Sequence, residues 1–188
     1  MGKGLFPDAY FPSAYAIDYE KLRAAGYRGV IYDIDNTLVP HGAPADERAK
    51  ALFHHLHALG YRVTLLSNNK EPRVKSFCEA VEGAQYIYKA GKPGVRGYRQ
   101  AMARMGTDAG NTFFVGDQIF TDIWGANRAG LRSLMVRYID PHEEIQIVLK
   151  RIPEKLVLLA YFFARRLKKR RTSDSAAPRH DSEAADKR

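Results

Sequence analysis

The chain alternates between short continuous apolar runs and longer stretches in which apolar residues return every three or four positions. Runs of the first kind lie at Gly29 to Asp33, Arg62 to Ser67, Gln85 to Tyr88, Thr112 to Asp117 and Leu134 to Arg137. Four of the five are almost wholly apolar, as a strand is when both faces of a parallel sheet are covered. Helical periodicity fills the intervals Pro44 to Leu59, Glu71 to Val81, Gly94 to Met105 and Ile119 to Ala129. In the first of these, Ala49, Leu52, Phe53, Leu56 and Leu59 form one stripe. Strand and helix in turn predict an α/β fold, a three-layer α/β/α sandwich of right-handed βαβ units around a parallel, Rossmann-like sheet. Ligands of such sheets bind beyond the carboxyl ends of the strands, so the chemistry is sought there.

The first strand ends in Asp33-Ile34-Asp35-Asn36-Thr37. Alternate side chains of an extended backbone share one side, so Asp33 and Asp35 can converge, and two such carboxylates repel unless a cation or a proton lies between them. A plain turn also explains that composition. The second ends in Leu66-Ser67-Asn68-Asn69, a hydroxyl and backbone N–H groups where a helix begins, which suits an oxyanion or an ordinary helix cap. After the third comes Gly91-Lys92-Pro93, where proline stiffens the backbone beside a lysine that either points at a phosphate or is merely solvated. The fourth ends in Val115-Gly116-Asp117-Gln118, followed by Thr121-Asp122 in the first turn of the next helix, where an acid also suits the dipole. None of these decides alone. Four strand ends that present, in order, the groups a phosphoryl-transfer site needs do decide together.

At these spacings DIDNT, LLSNN, GKP and GDQIFTD resemble the four motifs of the haloacid dehalogenase-like (HAD) phosphohydrolases, over about Leu5 to Arg137. SNN, YKAGKP and GDQxxTDxxGxNRxG are similar to the YqeG-type branch of subclass IIIA, which is related to mitochondrial phosphatidylglycerophosphate phosphatases. The resemblance implies Asp33 as nucleophile, forming an aspartyl-phosphate, and Asp35 as the acid that protonates the leaving oxygen and then activates water. It implies Ser67 and Lys92 on the phosphoryl oxygens, with Asn68 helping to bind substrate. Mg²⁺ would take Asp33, the backbone carbonyl of Asp35, and Asp117, with Asp122 and Gln118 supporting from behind. Transport ATPases carry Thr at the second position and dehalogenases lack that acid, so Asp35 favours a phosphatase. Thr37 to Ser67 holds one flap-like loop, LVPHGAPAD, and one helix, and Ser67 to Lys92 one helix and one strand. No cap domain fits there, so the expected site is open, suited to a large or surface-bound phosphoester.

Composition narrows the setting. Of 188 residues 45% are apolar and 11% aromatic, enough for one core and too many for a disordered chain. A single cysteine, Cys78, excludes an internal disulfide and favours a reducing compartment. The longest apolar run, Leu156 to Ala164, is well short of the roughly 20 residues that cross a bilayer. The start MGKGLFPDAY lacks the features of a secretory signal, so a cytoplasmic protein is expected. The net charge of +9 is uneven: residues 1–149 carry 18 bases and 16 acids, residues 150–171 nine bases and only Glu154, and residues 172–188 three bases and four acids.

The chain is therefore expected to comprise a capless catalytic domain over 1–149, a basic amphipathic helix over 150–171 and a disordered tail over 172–188. The helix would align Leu156, Leu159, Ala160, Phe163 and Leu167, with six bases between Arg165 and Arg171. This is the pattern of an interfacial helix at the inner face of an anionic membrane. Packing on the sheet, dimerisation and RNA binding are the other uses of such a segment.

The leading expectation is Mg²⁺-dependent hydrolysis of a phosphomonoester, with phosphatidylglycerophosphate at the membrane surface as substrate. The alternatives are a phosphatase for a soluble sugar or nucleotide phosphate, and an RNA- or ribosome-associated binding protein. Asp33, Asp35, Lys92 and Asp117 all being present argues against the last. His54, His55 and His57 read as solvated helix surface, Cys78 as an idle thiol, and Trp124, Phe113 and Phe114 as core.

Overall fold

The structure, a computed structural model, describes residues 4–140 and 145–174. Of the tail expected over 172–188, residues 175–188 lie outside the described residues. Among the described residues six strands form one wholly parallel sheet: β1 (Ala9–Phe11), β2 (Gly29–Tyr32), β3 (Arg62–Leu66), β4 (Gln85–Ile87), β5 (Thr112–Gly116) and β6 (Arg132–Val136), in the order β1-β6-β5-β2-β3-β4. The helices are α1 (Tyr19–Ala24), α2 (Glu47–Ala58), α3 (Glu71–Val81), α4 (Arg96–Met105), α5 (Trp124–Arg128) and α6 (Ile145–Asp174).

Alternation along the strands separates two cores. Val30, Tyr32, Val63, Leu65, Phe113 and Val115 pack with residues of α1, α2 and α3, among them Leu22, Phe53 and Phe77. Ile31, Leu66 and Phe114 meet Tyr98, Ala101, Met102 and Met105 of α4 and Ala126 of α5 on the other face. The expected stripe on α2 is the buried one, with Ala49, Leu52, Phe53 and Leu56 in the core and Leu59 packed at its edge. Asp46 starts that helix, its side chain accepting the Ala49 N–H at 2.8 Å.

The site is positioned by connectivity. From β2 the chain steps outward through β3 to β4, then returns to the other side of β2 for β5 and β6. The reversal opens a crevice at the carboxyl ends of β2 and β5. Tyr32 lies level with Leu65 on one side and Val115 on the other, so the residues that follow these strands emerge together. Between β2 and β3 stands α2 alone, and between β3 and β4 α3 alone, so among the described residues no cap domain covers the crevice.

Three features were not written in the hydrophobic pattern. Strand β1 is three half-buried residues beside β6, too short to show a period. The helix expected over Ile119 to Ala129 is a π-turn, Ile119–Ile123, followed by the short α5. Trp124, expected in the core, is instead 38% exposed, because it starts α5 on the outer side, where Arg128 stacks over its ring at 5.3 Å. Asn127 finds a structural use: its amide donates to the Gly4 and Phe6 carbonyls at 2.9 Å and its oxygen accepts from Ser133 Oγ at 2.7 Å, tying the N-terminal segment to β6.

Helix α6 packs beside this edge of the sheet. Val157 and Leu158 join Ile119, Ile123 and Met135, and the rings of Tyr161 and Phe162 meet Phe6 and Tyr10. Its buried Glu154 reaches back to the π-turn, where Oε1 accepts the Ile119 N–H at 2.8 Å.

Candidate active site

Asp33 follows β2, Ser67 follows β3, Lys92 lies beyond β4 and Asp117 follows β5, and all four are buried where the strand ends converge. Lys92 is the hub. Its Nζ donates to Asp33 Oδ1 and to Asp122 Oδ1, each at 2.6 Å. It reaches that point because Asn68 grips its backbone: Asn68 Oδ1 accepts the Lys92 N–H at 2.8 Å while Nδ2 donates to the Lys92 carbonyl at 3.1 Å. Asn68 is thus engaged in holding the Gly91-Lys92-Pro93 turn.

The π-turn sets Asp122. Gln118 N–H donates to Asp122 Oδ2 at 3.1 Å, and Tyr98 OH lies 3.1 Å from the carbonyls of Thr121 and Asp122. The Gln118 side chain stays local, accepting from Thr121 Oγ1 at 3.1 Å. Two glycines make room. A Cβ on Gly116 would lie 2.7 Å from Asp122 Oδ2, and one on Gly125 2.5 Å from Tyr98 OH. Single π-turns of this kind recur at functional sites because they re-aim one side chain.

Asp33, Asp117 and Asp122 bring one carboxylate oxygen each within 4.8 Å of one another, all three buried. Thr37 Oγ1 donates to Asp117 Oδ1 at 3.2 Å. One ammonium against three clustered carboxylates leaves excess negative charge in a place water hardly reaches. Burial pushes the Asp33 carboxyl up to about 7, with Asp122 and Asp35 adding to the rise and Lys92 opposing it. Burial alone would lower the Lys92 ammonium, but Asp122 and Asp33 outweigh it and hold the pKa above that of an ordinary lysine. An all-oxygen donor set with surplus negative charge fits a hard divalent cation.

Asp35 lies apart from this cluster with its own partners. Gly42 N–H donates to Oδ1 at 2.8 Å, Asn69 Nδ2 to Oδ2 at 2.7 Å and Arg73 Nη2 to Oδ1 at 2.9 Å. The turn that carries it is tight, with Asn36 at φ 62° and its N–H on the Val39 carbonyl. Ser67 Oγ accepts the Asn69 N–H at 3.2 Å, beside the start of α3. A groove of about 810 Å³ along edge strand β4, lined in part by Cys78, Tyr86 and Arg104, contains none of these groups.

Sequence reasoning therefore named the strand-end residues that the fold brings together, and overlooked several that hold them: Asn69, Arg73, Tyr98, Thr37 and Glu154. A charged residue in a helix reads as solvated. The available signal for Arg73 was its place in the first turn of a helix that starts at a strand end.

A family profile for HAD-hydrolase-like proteins matches residues 89–138. The chain is 37% identical over 137 residues to the Probable phosphatase YqeG of Bacillus subtilis (strain 168), covering 72% of this chain and 79% of that one. The chain belongs to the HAD-type phosphatases. It is a phosphoric monoester hydrolase, and its substrate carries a phosphate. Two further relatives are the chloroplastic phosphatidylglycerophosphate phosphatase 1 of Chlamydomonas reinhardtii, 31% identical over 70% of this chain, and its chloroplastic/mitochondrial counterpart of Arabidopsis thaliana, 28% identical over 81%. The matches cover 52% and 46% of those two proteins, about half their length. Among solved structures, a Legionella pneumophila protein assigned to HAD subfamily III A superposes with a TM-score of 0.50 at 16% identity, over 65% of this chain and 72% of that one. The 3-deoxy-D-manno-octulosonate 8-phosphate phosphatase of Yersinia pestis does so with 0.50 at 13% identity, over 69% and 84%. At these identities the likeness is one of fold. As HAD phosphatases use a divalent metal, the three buried carboxylates give this chain a place to hold one.

Proposed function

We propose that the chain hydrolyses the phosphomonoester of a membrane lipid, phosphatidylglycerophosphate being the leading substrate, with Mg²⁺ and an aspartyl-phosphate on Asp33. The observation that carries the chemistry is the buried Lys92 bridging Asp33 and Asp122 beside Asp117. An oxygen of Asp33 attacks phosphorus, the bond to the alcohol oxygen breaks, and Asp35 supplies the proton that oxygen takes. Asp35 then accepts a proton from water, whose oxygen displaces Asp33 and releases inorganic phosphate. Lys92 and the Ser67 hydroxyl face the negative charge on the phosphoryl oxygens, and Asp122 keeps Lys92 in place. Asp33 and Asp117, with the backbone carbonyl of Asp35, would hold Mg²⁺, which neutralises charge on the transferring group.

The lipid assignment draws on the names of two relatives, the open crevice and α6. No helix among the described residues is long and apolar enough to cross a membrane. Yet Leu156, Leu159 and Phe163 are 65%, 66% and 65% exposed, on the side of α6 away from the domain. With Arg165 and Arg166 exposed on the same helix, and four more bases following in the sequence at 168–171, this segment suits peripheral attachment to the anionic, cytoplasmic side of a bilayer. The helix is tied through Glu154 to the π-turn, so a docked α6 keeps the crevice near the lipid headgroups.

The test is phosphate release from phosphatidylglycerophosphate in anionic vesicles with Mg²⁺. Wild type should turn over and Asp33→Asn should lose at least about 10³-fold. No release, or equal release by the variant, overturns the reading. Turnover confined to soluble phosphates would overturn its lipid part.

A further inference from the structure

Arg73 enters none of the steps above. It rises from the first turn of α3 onto Asp35, Nη2 2.9 Å from Oδ1, with its guanidinium 5.5 Å from the centre of the Phe77 ring. Holding Asp35 does not account for it. The Gly42 N–H already sits on the same oxygen and the Asn69 amide on the other, at 2.8 and 2.7 Å, so the carboxylate is oriented without the arginine. A guanidinium carries five N–H donors in a planar fork. Among the described residues Arg73 has one acceptor, that single carboxylate oxygen, and its Nε is buried with none. Donors so placed favour an incoming anion, because a buried N–H without a partner is costly. The side chain keeps 20% of its surface open, so it is not sealed from an anion that arrives beside Asp35.

We propose that Arg73 is a specificity residue that receives a second anionic group of the substrate, a phosphate or phosphodiester joined to the scissile phosphomonoester by a short alcohol bridge. The proposal rests on the phosphatase reading, in which Asp35 protonates the leaving oxygen. That role sets the leaving alcohol against Asp35, and whatever the alcohol carries next against the guanidinium beyond it. A glycerol bridge places its second phosphate within one side chain's reach, and the planar fork pairs with phosphate oxygens through two parallel, charge-assisted bonds. A lysine supplies the charge without the fork. A phosphomonoester whose leaving alcohol bears no second anion has nothing to offer Arg73.

The test compares full-length wild type, Arg73→Ala and Arg73→Lys on four substrates: phosphatidylglycerophosphate and phosphatidic acid in identical mixed micelles, the deacylated glycerophosphoglycerophosphate head group in solution, and p-nitrophenyl phosphate. The expected loss of kcat/KM for Arg73→Ala is about 10- to 100-fold on the first and third, mostly through KM, the size of losing charge-assisted hydrogen bonds. On phosphatidic acid and p-nitrophenyl phosphate the same variant should lose at least several-fold less, only what the missing Asp35 contact costs every substrate, and Arg73→Lys should fall between. Glycerophosphoglycerol, which has the diester alone, should compete in wild type and fail to compete in Arg73→Ala. Equal losses on all four substrates would overturn the proposal, leaving Arg73 a support for Asp35. Losses on both micellar substrates and neither soluble one would also overturn it, pointing to the lipid surface instead. Wild type inactive on all four would sink the phosphatase reading itself, and this proposal with it.

Discussion

Two parts of the molecule gather positive charge in opposite ways. At the sheet's carboxyl end the cation is one buried lysine, held at 2.6 Å by two of three clustered carboxylates, so the ammonium there is paired at atomic range. On α6 Lys155, Arg165 and Arg166 stand exposed, as do large apolar side chains of the same helix. Charge of the first kind is inseparable from the fold, because a buried ion that loses its partner is left in a poor solvent. Charge of the second kind contributes little to folding and acts at longer range on whatever approaches. The overall +9 says nothing of this division, since the candidate site is built around Lys92, the one lysine or arginine that is buried among the described side chains.

The contrast is broken most directly by removing the lysine from one place and two arginines from the other. Lys92→Met leaves three buried carboxylates without their ammonium, and metal-free stability at pH 8 should fall by about 3–5 kcal/mol in urea unfolding. Arg165→Ala with Arg166→Ala should change it by less than about 0.5 kcal/mol per site. If Lys92→Met costs less than the pair on α6, the buried carboxylates do not depend on their ammonium as described above.

Protons sharpen the same comparison with a smaller effect. The Asp33 carboxyl is raised from 3.8 to about 7 by burial, with Asp122 adding to it against Lys92. An unfolded chain releases this proton near its ordinary value, whereas the folded chain keeps it to higher pH. The folded state therefore binds more protons across that window, and metal-free stability should decline as pH rises from about 4 to 7, by up to roughly 1.4 kcal/mol per unit, then level off. Asp33→Asn should flatten the decline. Mg²⁺, taking the proton's place, should stabilise more at pH 8 than at pH 6. A Mg²⁺ effect on the melting temperature that is the same at both pH values contradicts the assignment of Asp33 to the ion.

What could be read without coordinates follows the same division. Strands β2, β3 and β5 are largely apolar, and each is followed at once by a polar residue, Asp33, Ser67 and Asp117 in turn, so the pattern that marks each strand also marks the end where the candidate site lies. The supports were hidden because their role depends on distant partners. Asn68 and Lys92 are 24 residues apart, Thr37 and Asp117 80 apart, and Glu154 lies 35 beyond the Ile119 N–H it accepts. The π-turn was hidden too, since a residue spacing that fits an α-helix does not show that Asp122 must fold back against Gly116. For α6 the apolar stripe was visible, but periodicity alone leaves open which face meets the domain. Glu154, Val157, Leu158 and Tyr161 take that part, leaving Leu156, Leu159 and Phe163 outside.

That outcome gives the last test, with the least expected change in folding. Leu156→Ser, Leu159→Ser and Phe163→Ser together remove apolar surface that the fold does not bury, so urea unfolding should shift by no more than the roughly 0.5 kcal/mol per site of surface substitutions. Turnover of p-nitrophenyl phosphate should likewise stay unchanged, since none of the three touches the strand ends. Co-sedimentation with anionic vesicles should behave differently. Each large apolar side chain withdrawn from water contributes about 1.5–3 kcal/mol when fully buried, so even partial insertion of three predicts a loss of roughly 100-fold or more in partitioning. If the triple variant binds vesicles as wild type does, the exposed stripe is not the membrane contact. If it unfolds readily instead, those side chains belong to the core and the division between a folded site and an outward-acting helix fails at α6.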